Sequence, residues 1–407
     1  MSRKQLVLLA IVLLVLGGIA GWIHKGGSSD WKQADTQAGS KVLGALTIND
    51  IAAIHIKGAK DEINLERANG VWGVKQRGGY PADAQKIGPL LVKLSELKVT
   101  QTEAISEALR PRLQLAAPGA ADGGTLVELL GAGGKPIGSL IVGKAITRKS
   151  DIPGATRDVP TGRYLLKPEA ATTAIAVNDP LTELDANPAA WIDKTFIKPD
   201  RIKSITRSSD GKPRWTMQRG EEADMAWQLK DAAKGEDFDT NKAQDEARAL
   251  AGMNMVDVAV NVKPEDLAGG DMLAFETFEG LSYTLALGKK DGENRPVLVS
   301  VSGKLAPPPE RTPGKDEKPE DKAKLDKEYK DKAAANEARV AHELAMDKKV
   351  FLIADAGIAP LLKERAALLK QTEKNPPAPS VPGLDTFEKK APPKAAAKAA
   401  EKAPAKK

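Results

Sequence analysis

The stretch Ile63-Asn-Leu-Glu-Arg-Ala-Asn-Gly-Val-Trp-Gly-Val74 reads as two short strands folded back on an Asn69-Gly70 turn. Apolar residues alternate with polar ones on either side. Asn-Gly supplies the two left-handed positions that a tight hairpin turn demands. A partner stretch follows later: Arg214-Trp-Thr-Met-Gln-Arg219, a loop through Glu221-Glu222, then Ala226-Trp227-Gln-Leu229. Trp72 and Trp227 hold the same place in the second strand of each. A lone Trp can stack a sugar or a base, but on a half-buried strand an indole serves first as a large core anchor.

Working outward, the chain repeats itself. Leu46-Thr-Ile-Asn-Asp-Ile-Ala-Ala-Ile-His-Ile56 precedes the first hairpin and Ile197-Lys-Pro-Asp-Arg-Ile-Lys-Ser-Ile-Thr-Arg207 the second. Ile51 and Ile54 answer Ile202 and Ile205 at an offset of 151. A helix follows each hairpin. Asp83 caps the first, with Ile87, Leu90, Leu91, Leu94 and Leu97 on one face. Pro89 interrupts that pattern, so the regular helix is expected to start at Gly88-Pro89 after a turn. At an offset of 156, Asp239 caps the second helix, with Ala243, Ala247, Leu250 and Met253 on the matching face. Each copy then returns to strands: Thr125–Leu130 and Ile137–Lys144 in the first, Met272–Phe278 and Leu281–Lys289 in the second. A last strand, Gly162–Leu166, is matched with Lys349–Ile353. The predicted fold is α+β: two duplicated modules, each a mainly antiparallel sheet with one packed helix. Repeats this long are duplicated domains rather than a solenoid.

The expected domains are residues 30–185 and 190–370, the second with a charged helical insertion at about 304–349. From Glu310 to Lys349 eleven acidic residues balance eleven basic ones. Lys318–Met346 reads as an exposed charged helix without a sustained apolar seam, a solvated spacer in preference to the alternative of a partner-docking arm. Residues 371–407 are Pro/Ala/Lys-rich, a composition that cannot bury enough apolar surface to order itself. Lys370–Lys407 carries nine lysines and four acids, which accounts for most of the net charge of +6. That basicity therefore argues for a solvated tail rather than for nucleic acid.

The N-terminus sets the compartment. Leu6–Ile23 is a nearly unbroken apolar run of eighteen residues, about 27 Å of helix at about 1.5 Å each. Arg3 and Lys4 outweigh Lys25, which places the body outside the cytoplasm. Gly18 and Ala20 resemble a cleavage site, whereas the length of the run and Trp22 at its outer end favour a retained signal anchor over residues 1–25. The expected location is a bacterial inner membrane, single-pass, with the body in the periplasm or extracytoplasmic space.

Zero cysteines remove disulfides, thiolate metal sites and cysteine nucleophiles. His24, His55 and His342 have no ligand-spaced partners. Gly138-Ser-Leu-Ile-Val-Gly143-Lys144-Ala145 fits the start of a phosphate-binding loop, but Ala145 stands where a Mg²⁺-binding hydroxyl belongs and the intervening residues read as strand. The second copy repeats Gly288-Lys289 at a strand end, as a structural turn would. Neither the Glu221–Asp224 acids nor Ser208-Ser209-Asp210 forms a recognisable catalytic pair. No catalytic, cofactor-binding or metal-ligating residue and no cofactor is assigned. The repeat's structural signature is Trp72, Pro81, Asp83, Gly143, Trp227, Asp239 and Gly288.

These doubled Trp-bearing hairpins, with Pro81-Ala82-Asp83 leading into a helix and strands ending in Gly-Lys, resemble the family described as domain of unknown function 4340. The second copy departs from it with Asp237-Phe238-Asp239. Members typically have one N-terminal membrane helix and an extracytoplasmic body, and are often encoded beside ABC transporters of the gliding-motility type. The resemblance implies an auxiliary subunit with the inner membrane and an ABC-transporter-type protein as partners, without nucleic acid and with no small-molecule substrate evident. The alternatives are an envelope polysaccharide binder using the basic tail, and a hydrolase with a cleft between the repeats.

Overall fold

The computed structural model describes residues 37–150, 157–220, 226–305 and 318–370. The first repeat forms a nine-stranded sheet from β1 (Ala53–Lys57), β2 (Glu62–Ala68), β3 (Val71–Val74), β4 (Tyr80–Pro81), β5 (Gln101–Ala104), β6 (Thr125–Leu130), β7 (Pro136–Arg148), β8 (Val159–Leu166) and β9 (Thr173–Val177). Its order is β4-β3-β2-β1-β6-β7-β8-β9-β5. The second forms an eight-stranded sheet from β10 (Ile202–Ser209), β11 (Lys212–Gln218), β12 (Gln228–Leu229), β13 (Met255–Val258), β14 (Asp271–Thr277), β15 (Leu281–Leu287), β16 (Asn294–Gly303) and β17 (Lys349–Ala354). Its order is β12-β11-β10-β14-β15-β16-β17-β13. Without β4 the two orders coincide strand for strand. Neighbouring strands are antiparallel throughout.

This correspondence corrects one pairing expected from sequence. Gly162–Leu166 lies in β8, whose counterpart is β16, while Lys349–Ala354 is the counterpart of β9. The first repeat joins β8 to β9 through a single 3-10 turn at Pro168–Ala170; the second places its insertion there.

Local chemistry explains the elements. Asn69 (φ 51°) and Gly70 (φ 82°) make the expected left-handed turn between β2 and β3. Asp210 (φ 51°) and Gly211 (φ 72°) do the same between β10 and β11, so Asp210 serves a turn. Helix α1 (Ala84–Glu96) begins directly after Asp83 and contains Pro89, where a later start was expected. The proline deprives only Gln85 of an intrahelical partner, and Gly88 before it has no Cβ to clash with the ring. Burial of Ile87, Leu90, Leu91 and Leu94 holds the segment helical across that gap. Helix α2 (Thr240–Ala251) is its counterpart in the second repeat.

A single apolar cluster runs through both repeats, from Ile54 and Leu65 to Ile205 and Leu285. Phe351 is the bridge: it meets Tyr80 of the first sheet edge-on at 5.8 Å and Phe196 of the connecting segment at 5.5 Å. Beside it, the Arg77 guanidinium donates to both oxygens of Asp257 at 2.6 Å each.

The insertion is helix α3 (Pro319–Leu344). The expectation of an exposed helix holds for much of its length. Its last turns depart from it: Val340, Glu343 and, just beyond, Met346 are buried. Arg339 ion-pairs with Glu279 at 2.6 Å and Glu343 at 3.1 Å, and Tyr283 donates to Glu343 at 2.5 Å. The end of the helix is thus held by the Tyr283–Glu343 hydrogen bond to β15 and the Arg339–Glu279 pair together with buried Val340 and Met346. Among the described residues no helix is long and apolar enough to cross a membrane; the expected anchor at 1–25 and the tail at 371–407 lie outside them.

Candidate functional site

A cleft of about 500 Å³ opens where the repeats meet. One wall is the turn from Arg77 to Pro81 that brings β3 round to β4. The opposite wall is the segment after β13, with Val258, Val260 and Val262. The end of α3 and the start of β17 complete it with His342, Met346, Lys348 and Lys349. Val260 is left 49% exposed, an aliphatic side chain at the mouth of a cavity.

The ionisable groups lining this cleft are Arg77, Tyr80, His342, Lys348 and Lys349, with no carboxylate among the described lining residues. Arg77 is neutralised by Asp257. The His342 imidazole lies 3.0 Å, through Nε2, from the Thr195 carbonyl of the connecting segment. Lys349 donates to the Ala345 carbonyl through Nζ. The Tyr80 hydroxyl is buried without a hydrogen-bond partner in the protein. Burial, aided by the negative charge of Asp193, pushes its phenol well above the ordinary tyrosine range. Such a group is a hydrogen-bond donor rather than a base. The arrangement can hold an anion beside an apolar surface. Among the described lining residues no nucleophile is paired with a base.

Apart from Pro81, which lines the cleft, the signature residues named from sequence lie elsewhere and hold the fold. Asp83 accepts from the Gln85 amide at 3.0 Å, and Asp239 from Asn241 and Lys242 at 3.0 and 3.3 Å. Each cap is met by the segment that follows the last strand of its sheet in the chain. The Asp83 amide donates to Trp191 and the Pro81 carbonyl accepts from Asp193; in the second repeat the Asp239 amide donates to Leu368 and Asp237 accepts from Lys370. Lys86 and Lys242, each three residues past its cap, donate to the same returning segments, at Ala190 and Leu369.

Gly143 and Gly288 also play equivalent parts. A Cβ at Gly143 would come within 2.4 Å of the Leu113 carbonyl, and one at Gly288 within 2.6 Å of the Pro296 ring on the neighbouring strand and 2.7 Å of the Leu267 side chain. Both permit a chain segment to cross the sheet closely, and Gly143 lies inside β7, not in a loop of free amides.

Trp227 is buried, while Trp72 is only half-buried at the edge of the core. Sequence reading missed their common partner. Arg67, in β2, lies 5.7 Å from the Trp72 ring and Arg219, one residue past β11, 4.9 Å from that of Trp227. His55 has partners that sequence spacing did not show: Glu62 and Glu128, on the strands either side of β1, stand 2.9 and 2.8 Å from its two ring nitrogens. Among the described residues no group of three or more His, Asp or Glu is arranged to hold a metal ion.

Residues 72–271 match the model of a family described as a domain of unknown function (DUF4340), from Trp72 in the first hairpin to the opening residue of β14. No curated protein and no solved structure matches the chain.

Proposed function

We propose that this chain, which carries a DUF4340 domain across residues 72–271, is a non-catalytic subunit of an ABC-transporter-type complex. Leu6–Ile23 anchors it in a bacterial inner membrane, and its body lies on the extracytoplasmic side. The observation that carries the reading is the fusion of the repeats through one core and the Arg77–Asp257 pair. Two sheets sharing an interior present a broad, fixed surface, which suits docking on another protein. The N-terminal run is long enough to span, and its flanking charges orient the body outward.

The test is crosslinking of the full chain in native membranes, followed by purification and identification of what is attached. A permease and its ATPase are expected. Recovery of this chain alone would overturn the reading.

A further inference from the structure

The cleft between the repeats combines two properties that seldom serve scaffolding alone: aliphatic walls open to solvent, and ionisable lining groups that are all basic apart from one phenol. We propose that it binds a small amphiphilic anion, a single apolar chain ending in one carboxylate or phosphate.

The walls select the chain. Val260, Val262 and Pro81 offer hydrocarbon surface, and the exposed side chain of Val260 gains from being covered. The cations select the head. Lys348 and Lys349 stand together where α3 gives way to β17, and no lining carboxylate competes for them among the described residues. An inorganic anion would leave the walls wet, and an alkyl cation would meet like charge. A cavity of about 500 Å³ is in the ordinary range for one small ligand at a junction of domains. It favours a free single-chain molecule over a two-chain membrane lipid. The inference does not depend on a transporter partner and can stand or fall without it.

The experiment uses the full chain in neutral phosphatidylcholine vesicles with a diazirine-bearing dodecanoic acid, and maps the photo-adducts by mass spectrometry. Adducts are expected within residues 77–81, 258–264 or 342–350. Dodecanoate should compete at least about tenfold better than octanoate, because four buried methylenes are lost with the shorter chain. Dodecyltrimethylammonium should not compete, and vesicles containing phosphatidylglycerol should leave labelling unchanged. Val260→Asp places a carboxylate at the mouth and should reduce labelling tenfold or more. Val260 is exposed, and an unchanged thermal melt would show the fold intact. Lys348→Gln combined with Lys349→Gln should weaken labelling about threefold or more. Adducts confined to residues 1–25, equal competition by the alkyl cation, or full labelling of a folded Val260→Asp variant would each overturn the proposal. Suppression by phosphatidylglycerol would also overturn it, by assigning the cleft to membrane lipid.

Discussion

The two repeats share a strand order and differ in what their interiors contain. Among the described residues, the buried polar or charged side chains of the first repeat come down to Ser95; the second buries Arg207, Ser208, Glu246, Thr277, Glu279, Glu343 and Asp355. Those charges fasten particular segments. Glu279 takes Arg339 of the insertion helix, which also pairs with Glu343 one turn on, Glu246 takes Lys363, and Arg207 takes Glu364 of the returning segment. Apolar packing makes the common scaffold. Ion pairs with one buried partner, whose charge is costly to desolvate, fix which residues meet where an addition must be held in one place. The second repeat thus carries its insertion in a fixed pose rather than as a loose spacer.

The sharpest way to break that distinction is Arg339→Met. It leaves Glu343 and Glu279 buried without their cation, which should cost about 3–5 kcal/mol in urea unfolding of the full chain. Proteolysis should then cut α3 near residue 339 while residues 37–150 stay protected. A loss below about 1 kcal/mol would mean that the helix is held by Val340 and Met346 instead.

The first repeat should respond to volume rather than to charge. Leu91 is 3% exposed on α1, and Leu91→Ala is expected to cost about 2–5 kcal/mol by opening a cavity. At the matching position the second repeat already has Ala247, so the reverse change, Ala247→Leu, tests whether its helix lies closer to its sheet. Overpacking there should cost about 1–3 kcal/mol.

The caps come next. Asp83→Ala and Asp239→Ala should each lose about 1 kcal/mol. The second should lose slightly more, because Asp239 accepts from two amides and Asp83 from one. Equal losses would mean that the second amide bond of Asp239, at 3.3 Å, adds nothing.

Much of this scaffold was legible in the chain. The Asn69-Gly70 turn, both caps and the alternating isoleucines of β1 and β10 carry their own local signals. The strands that were missed are those that pairing creates. β5 is Gln-Thr-Glu-Ala, largely exposed, and exists because β9 lies beside it. β16 contains Pro296, which normally argues against an inner strand. The residue lies just past the last pairing with β15, Leu287 with Val297, so its missing N–H costs that ladder nothing. The cleft was not legible because its walls come from three stretches far apart in sequence. Glu343 was hidden for another reason: in a run with balanced charges, one buried carboxylate looks like every other surface acid.

The smallest effect tests the comparison most closely. At an offset of 156, Leu90 of α1 is answered by Glu246 of α2, 2% exposed. Its Oε1 meets Lys363 at 2.9 Å, and Oε2 is buried without a partner. Burial, only partly offset by Lys363, holds this carboxyl above the ordinary range for glutamate. A raised folded-state pKa contributes stability that is present below the unfolded value of 4.5 and is lost as pH rises through the folded value. Glu246→Leu, the residue that the first repeat uses, removes that loss. Lys363, half-exposed, can return to water. The variant should therefore match the natural chain near pH 4 and exceed it by about 1 kcal/mol at pH 7 in urea unfolding. If leucine instead destabilises at neutral pH, the Glu246–Lys363 pair outweighs its own desolvation. Buried charge in the second repeat would then be a source of stability as well as of position.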